Sequence, residues 1–426
     1  MRSRVAVAAA LFGVATASHA GLFFVDSFAD LPDATPNGVC AASGGACTLR
    51  AAIQEANANA ENDTIELPSG TIALAVAGAG EDLAATGDLD VASGQAVTIL
   101  GQGVGASRIN ATGIDRVFDV RGGASLLVRD ATITGGATNE LGGGFVVFGA
   151  LTLDRVRVEG NVANAGGGIW VGPEAVLTLV DTMITDNRAG NFGFTNADGG
   201  AILSRGSVFM RSSTLFANRA ENSGSAIWAE GDLDLQDSTL SGNLLSVVAV
   251  VLQNAGGRLA HVTIHDNFGQ GVSAFSFDGS HALVIANTIV SAGIGYPACN
   301  LTSTSSPPAL TFQGNNLSSD ASCLFTQAGS LQNTDPALLA LADNGGPTLT
   351  HLPAGGSPVR DGGGSVGCTV ADQRGEPRPQ DGDGDTIAVC DIGAIEAPEP
   401  RGIPLGGAAL GALALLRPRS RQPSLG

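Results

Sequence analysis

Between residues 130 and 295 one phrase returns at a period near 25: a strand-like run, an apolar residue two or three places before an Asn, then a Gly-rich turn. The strong copies are Val158-Glu159-Gly160-Asn161, Ile184-Thr185-Asp186-Asn187, Leu215-Phe216-Ala217-Asn218, Leu240-Ser241-Gly242-Asn243 and Ile264-His265-Asp266-Asn267, with Asn residues 26, 31, 25 and 24 positions apart. Weaker copies flank them at Thr132-Ile133-Thr134-Gly135-Gly136 and Thr288-Ile289-Val290-Ser291-Ala292. No helical pattern accompanies the period. A unit this short cannot enclose its own core, but stacked units bury a continuous apolar column. Segments such as Leu151-Thr152-Leu153 and Leu233-Asp234-Leu235 put an inward residue at every second place. The expectation is an all-β chain forming a single right-handed parallel β-helix of roughly nine or ten coils, about 45 Å long at the usual strand spacing. The recurring Asn is expected at a turn, where it tolerates left-handed backbone and stacks its amide along the axis.

Composition fits thin, Gly-punctuated coils. Of 426 residues 61 are Gly, 44% are apolar, 14% are charged and 4% are aromatic, which excludes a disordered chain and, without a three-residue Gly period, collagen. All 21 cationic residues are Arg; against 40 acids they leave a net charge of −19, which argues against a nucleic-acid partner. Arg2 and Arg4, the apolar run Val5 to Ala17 and Ser18-His19-Ala20 read as a secretory signal over residues 1–20. From there to Pro400 the chain holds 15 Arg against 40 acids, or −25. Six Cys in an exported chain suggest disulfides, and three local staples are the simplest pairing: Cys40–Cys47, Cys299–Cys323 and Cys368–Cys390. No CxxC occurs and the five His are scattered, so a Cys/His metal cluster is a poor alternative.

Several stretches resemble known exported families. Gly166-Gly167-Gly168-Ile169-Trp170, Gly199-Gly200-Ala201-Ile202-Leu203 and Gly224-Ser225-Ala226-Ile227-Trp228, with the apolar-x-x-Asn phrase, resemble the repeats of polymorphic outer membrane proteins, which are surface-exposed β-helices. Cys47-Thr48-Leu49-Arg50-Ala51-Ala52-Ile53-Gln54-Glu55-Ala56-Asn57 reads as a short capping helix with Leu49, Ala52, Ile53 and Ala56 on one face. It resembles the CSLREA motif of bacterial exported β-helix proteins, and the resemblance continues through Asp63 to Thr71, Thr86-Gly87-Asp88-Leu89-Asp90 and Gly113-Ile114-Asp115-Arg116-Val117-Phe118. Asp343-Asn344-Gly345-Gly346-Pro347-Thr348, Gly356-Ser357-Pro358, Asp372-Gln373-Arg374-Gly375 and Cys390 to Glu396 resemble the choice-of-anchor Q domain. Pro398-Glu399-Pro400, an apolar run from Ile403 to Leu416 and then Arg417, Arg419 and Arg421 look like a PEP-type sorting tail, which implies association with the envelope. The resemblances imply a fold and an address, not a reaction. The expected organisation is a signal peptide (1–20), an N-terminal cap with first strands (21–94), β-helix repeats (95–325), a choice-of-anchor Q-like region (326–397) and a sorting tail (398–426).

Some β-helices are polysaccharide lyases or glycoside hydrolases, so an enzyme acting on an anionic glycan is the rival reading. Its fallback catalytic residues are Asp181, Asp186 and Arg188, and Asp232, Asp234 and Asp237, which could pair carboxylates or supply a base. Alternating acids on an outer face also simply keep a solenoid soluble. The Asp-Asp pair and Gly-His-Gly of polygalacturonases do not occur. Trp170 and Trp228 hold matching repeat positions and could stack on sugar rings, or pack at the edge of the core. Asp381-Gly382-Asp383-Gly384-Asp385, with Asp391, is the candidate Ca²⁺ loop, although the Glu of an EF-hand loop is replaced by Ile392. The leading expectation is a non-catalytic exported β-helix presenting a repetitive surface to a glycan or a surface protein. A structural surface-layer component is the third reading.

Overall fold

The computed structural model describes residues 20–59, 62–190, 197–275, 282–301, 309–365 and 367–397. The sorting tail and all but the last residue of the expected signal peptide lie outside them. The described chain is a single parallel β-helix with one short α-helix near its start and an irregular C-terminal region. Strands of successive coils stack into a 17-stranded sheet, a nine-stranded sheet and a small three-stranded one. The nine-stranded sheet runs from Leu89–Val91 to Cys299–Asn300, hence eight full turns from its first strand to its last.

The period-2 pattern sets the core. Val97, Leu126, Leu151, Leu177, Val208 and Leu233 stack in register, and Ile99, Val128, Leu153, Leu179, Met210, Leu235 and Leu259 form a parallel column. Both columns are buried throughout. Each coil of the large sheet then bends at a residue with positive φ. Asp130, Arg155, Asp181, Ser212, Asp237, His261 and Asn287 occupy this bend in successive coils. A left-handed conformation costs an L-residue roughly 1–2 kcal/mol, and the parallel ladders on both sides of the bend hold it in place.

The stacked Asn residues form a buried amide ladder. Nδ2 of Asn161, Asn187, Asn218 and Asn243 each donates to Oδ1 of the Asn one coil on, at 2.9, 3.0, 3.1 and 2.8 Å, ending at Asn267. The left-handed residue is not the Asn itself, as expected, but the one before it: Gly160, Asp186, Ala217, Gly242 and Asp266. The Asn turns inward instead, because its amide also caps a carbonyl of the preceding coil, as Asn218 Nδ2 does at Ile184 O (2.8 Å). At the Gly-rich corner the coils approach closely; a Cβ on Gly168 would stand 2.7 Å from the Ala201 carbonyl oxygen.

The helix Leu49–Ala58 covers the open end of the column. Thr48 is its N-cap and accepts the Ala51 N–H. The expected face of Leu49, Ala52, Ile53 and Ala56 is buried, but so are Arg50 and Glu55, because residues 30–42 wrap the helix from outside. Arg50 pairs with Asp30 through two hydrogen bonds (2.6 and 3.1 Å) and donates to the carbonyls of Ala84, Gly87 and Asp88. It thereby ties the helix to the first strand of the nine-stranded sheet.

The C-terminal region lies along the bend of the large sheet. Gln373 bridges two coils, donating to Thr214 Oγ1 (2.8 Å) and Thr348 Oγ1 (2.9 Å) while accepting from Thr239 Oγ1 (2.6 Å). All six cysteines pair, as Cys40–Cys47, Cys299–Cys323 and Cys368–Cys390. Three disulfides fit an oxidising compartment outside the cytoplasm. Among the described residues no helix is long and apolar enough to cross a membrane.

Candidate functional site

The first six strands of the nine-stranded sheet are three residues long, and their flanking residues point into the column, as Phe145 and Val147 or Ile169 and Val171 do. The middle residues face outward, and register aligns them along the axis: Asp90, Asp119, Val146, Trp170, Leu203, Trp228 and Val251. One continuous outer stripe therefore changes from acidic to aromatic within a few coils.

On the aromatic part, Val146, Trp170 and Leu203 pack with Ala165, Leu141 and Trp228 in a cluster separate from the main core. Trp170 is buried edge-on against Phe148, with ring centroids 5.2 Å apart. Trp228, two rungs along, is half-buried. A cavity of about 440 Å³ lies over Trp170, Leu203 and Trp228. Its polar rim holds Asp198, which accepts from Asn222 Nδ2 at 2.7 Å, and the Arg205–Glu230 ion pair at 3.1 Å. Burial holds the Asp198 carboxyl above its ordinary range, while Asn222 and a backbone N–H oppose the shift.

On the acidic part, one carboxylate oxygen each of Asp88, Asp90 and Asp119 lie within 4.8 Å of one another, and all three residues are buried. Burial, reinforced by the neighbouring acids, pushes Asp88 up to about 8 and Asp90 up to about 7. Burial also raises Asp119, against the pull of Arg121. An adjoining cavity of about 440 Å³ opens beside Asp88 and Asp119 and shares Leu141 with the aromatic one.

Of the fallback catalytic residues, Asp181 and Asp237 line one cavity of about 510 Å³ between the bend and the C-terminal region, with Asp372 and Arg374, and the other four stand apart from it. Asp181 sits at the main bend and exposed Asp186 at the next, while Arg188 pairs with Glu221 at 2.5 Å. Asp232 is exposed just before the strand Leu233–Ser241, and Asp234 faces Arg258 at 3.4 Å. Asp237 is buried beneath the C-terminal region, accepts from Thr369 Oγ1 (3.0 Å) and lies 3.7 Å from Arg378; burial still pushes it up to about 6. None of the converging acid and His groups among the described residues contains any of these.

In the candidate Ca²⁺ loop, Asp381 accepts the N–H groups of Gly384 and Thr386, Asp383 that of Asp385, and Asp385 that of Ile387. Asp361 converges with Asp381 and Asp383, whereas Asp385 and Asp391 stand outside that group. Asp391 is fully buried and accepts from Asp361 and Ala397 N–H. Burial and Glu396 push it up to about 7.

Two groupings escaped sequence reasoning. His265 and His351, scattered along the chain, meet with ring centroids 5.0 Å apart beside Asp266. His265 Nδ1 engages Ser291 Oγ, and His351 engages Ser241 Oγ and Leu339 O, so the pair fastens the C-terminal region to the coils. The Asp88–Asp90–Asp119 group was also missed, although Asp90 and Asp119 are 29 residues apart and stepping by roughly one coil would have aligned them.

No protein-family model and no curated protein sequence matches the chain. A solved structure similar to it is that of pectate lyase Pel9A: 11% identical, covering 89% of this chain and 97% of that chain, with a TM-score of 0.42.

Proposed function

We propose that the chain is an exported, non-catalytic β-helix that binds a glycan along the outer face of its nine-stranded sheet. The observation that carries this reading is the cavity over Trp170, Leu203 and Trp228, where an apolar floor meets a rim of paired polar groups. Such a surface suits a sugar, whose ring faces stack on aromatics and whose hydroxyls exchange hydrogen bonds with carboxylates, amides and guanidinium groups. Of the two fallback acids that share a cavity, Asp237 is already held by Arg378 and Thr369, which suits a structural role better than bond cleavage. The address rests on the three disulfides and on the resemblance to exported CSLREA and choice-of-anchor Q proteins. The resembling residues Arg50 and Gln373 are both buried clamps, which suits motifs that specify architecture rather than a reaction.

The test is a titration of the full chain with neutral and anionic polysaccharides, followed by tryptophan fluorescence. Saturable quenching by a glycan, weakened in Trp228→Ala, supports the reading. Release of unsaturated or reducing ends would replace it with the lyase or hydrolase reading. Assembly into an envelope sheet with no glycan response would favour the surface-layer role.

A further inference from the structure

The acidic end of the stripe has a character of its own. Asp88 precedes and Asp90 lies within the strand Leu89–Val91, and Asp119 lies in register with Asp90 in Phe118–Val120. Asp90 is fully buried and Asp119 is 4% exposed. Asp90 Oδ2 accepts the Ala84 N–H, and Asp119 Oδ2 accepts from Arg121 at 2.8 Å. Each residue's Oδ1, however, is buried with no hydrogen-bond partner. Leaving a buried charged oxygen unpaired costs several kcal/mol unless something binds it.

The nearby arginines do not fill that role. Arg116 makes its short contact to Glu140 (2.6 Å) and stands 3.6 and 3.7 Å from the Oδ2 atoms of Asp88 and Asp119. Arg121 is shared between Asp119 and Asp82. Around these two cations stand seven acids: Glu81, Asp82, Asp88, Asp90, Asp115, Asp119 and Glu140. The backbone is fixed from the other side. Arg50 holds the carbonyls of Gly87 and Asp88, and Asn57 donates to Asp90 O while accepting the Ala92 N–H. The carboxylates are thus preorganised in a site with an excess of negative charge.

We propose that Asp88, Asp90 and Asp119 bind one Ca²⁺ ion, which enters from the cavity beside Glu81, Asp82 and Glu140. All-oxygen ligation selects a hard cation, and oxygens within 4.8 Å of one another are close enough to share one Ca²⁺ ion, whose ligands stand about 2.3–2.6 Å from it. The ion joins the first two strands of the nine-stranded sheet and, through Arg50 and Asn57, the capping helix. This proposal is independent of glycan binding.

The test is calorimetric titration of the EDTA-treated full chain with CaCl2, with MgCl2 as the comparison, together with thermal unfolding. One saturable Ca²⁺ site that raises Tm is expected. Asp90→Asn and Asp119→Asn should weaken it at least about tenfold while leaving Tm in EDTA unchanged or higher, since each removes one of three converging negative charges. Asp383→Asn, in the separate Asp361–Asp381–Asp383 group, should leave the site intact. In the wild-type chain, Ca²⁺ should slow hydrogen exchange at residues 84–91 and 117–120, a readout that needs no variant. No saturable Ca²⁺ binding, binding lost only in Asp383→Asn, or Asn variants that lower Tm equally with and without Ca²⁺ would each overturn the proposal.

Discussion

The two long faces of the coil treat buried charge differently. On the large sheet the C-terminal region lies over the bend and leaves a cavity beside Asp181 and Asp237, but Asp237, Glu396 and Asp372 there meet cations: Arg378 is shared by Asp237 and Glu396, and Asp372 pairs with Arg374. On the nine-stranded sheet the outer stripe is only partly covered. At its acidic end three carboxylates face one another, and further along an aromatic cavity stands open. Charges that neutralise one another hold a structure together, whereas groups left facing a cavity are available to something the chain does not itself supply. The covered face is read as the scaffold and the open face as the binding surface.

The largest expected effect breaks the covered face. Arg378→Ala leaves Asp237 and Glu396 buried without their cation, and should cost about 3–5 kcal/mol in chemical denaturation. A loss below about 1 kcal/mol would show that the C-terminal region does not depend on this pairing. Next, Asn218→Ala interrupts the middle of the amide ladder, removing the Asn187 and Asn243 contacts, and should cost about 1–3 kcal/mol by orphaning buried polar groups.

A pH profile distinguishes the charges within the covered face. His261, driven down to about 3 by burial and Arg378, is neutral in the folded state while the unfolded chain still binds a proton near its ordinary 6.5, so stability gains from it as pH rises through 6.5 and the slope vanishes only well above that value. Asp391, raised to about 7, binds a proton in the folded state that the unfolded chain has already released. Its contribution is therefore present at low pH and is lost as pH rises through about 7. With Ca²⁺ saturating, Asp391→Asn should remove this loss, so that the Tm of the variant relative to wild type rises between pH 6.5 and 8. The smallest effect sharpens the open face. Trp228→Ala should lower glycan affinity about tenfold, a stacking loss of about 1.4 kcal/mol, and shift Tm little because Trp228 is half-buried. Asp186→Asn, on the opposite side of the ladder, should leave glycan affinity unchanged.

What was legible in the sequence is what repeats or is local. The stacking columns through Leu151 and Leu153, the Asn ladder, the capping helix and the cysteine pairs each follow from a period or a short spacing. The left-handed residue proved to be the one before each Asn, because the inward-turned amide is needed for the next coil. The burial of Arg50 was hidden because its partner Asp30 and the carbonyls of residues 84–88 come from separate loops. The reach of Gln373 across coils more than 130 residues earlier follows no period at all. The binding stripe lay between these cases. Its Trp positions were visible in the repeat, but its acidic end sits outside the strong copies, where no Asn or Gly-rich phrase marks the coil.

The central claim is that the open face binds a glycan without cleaving it. Full chain with Ca²⁺ is to be incubated with pectin, alginate and glycosaminoglycans while tryptophan emission and new chain ends are followed in the same sample. The account predicts saturable quenching by at least one of these polymers with no unsaturated or reducing ends formed. Chain ends that accumulate with time would contradict it.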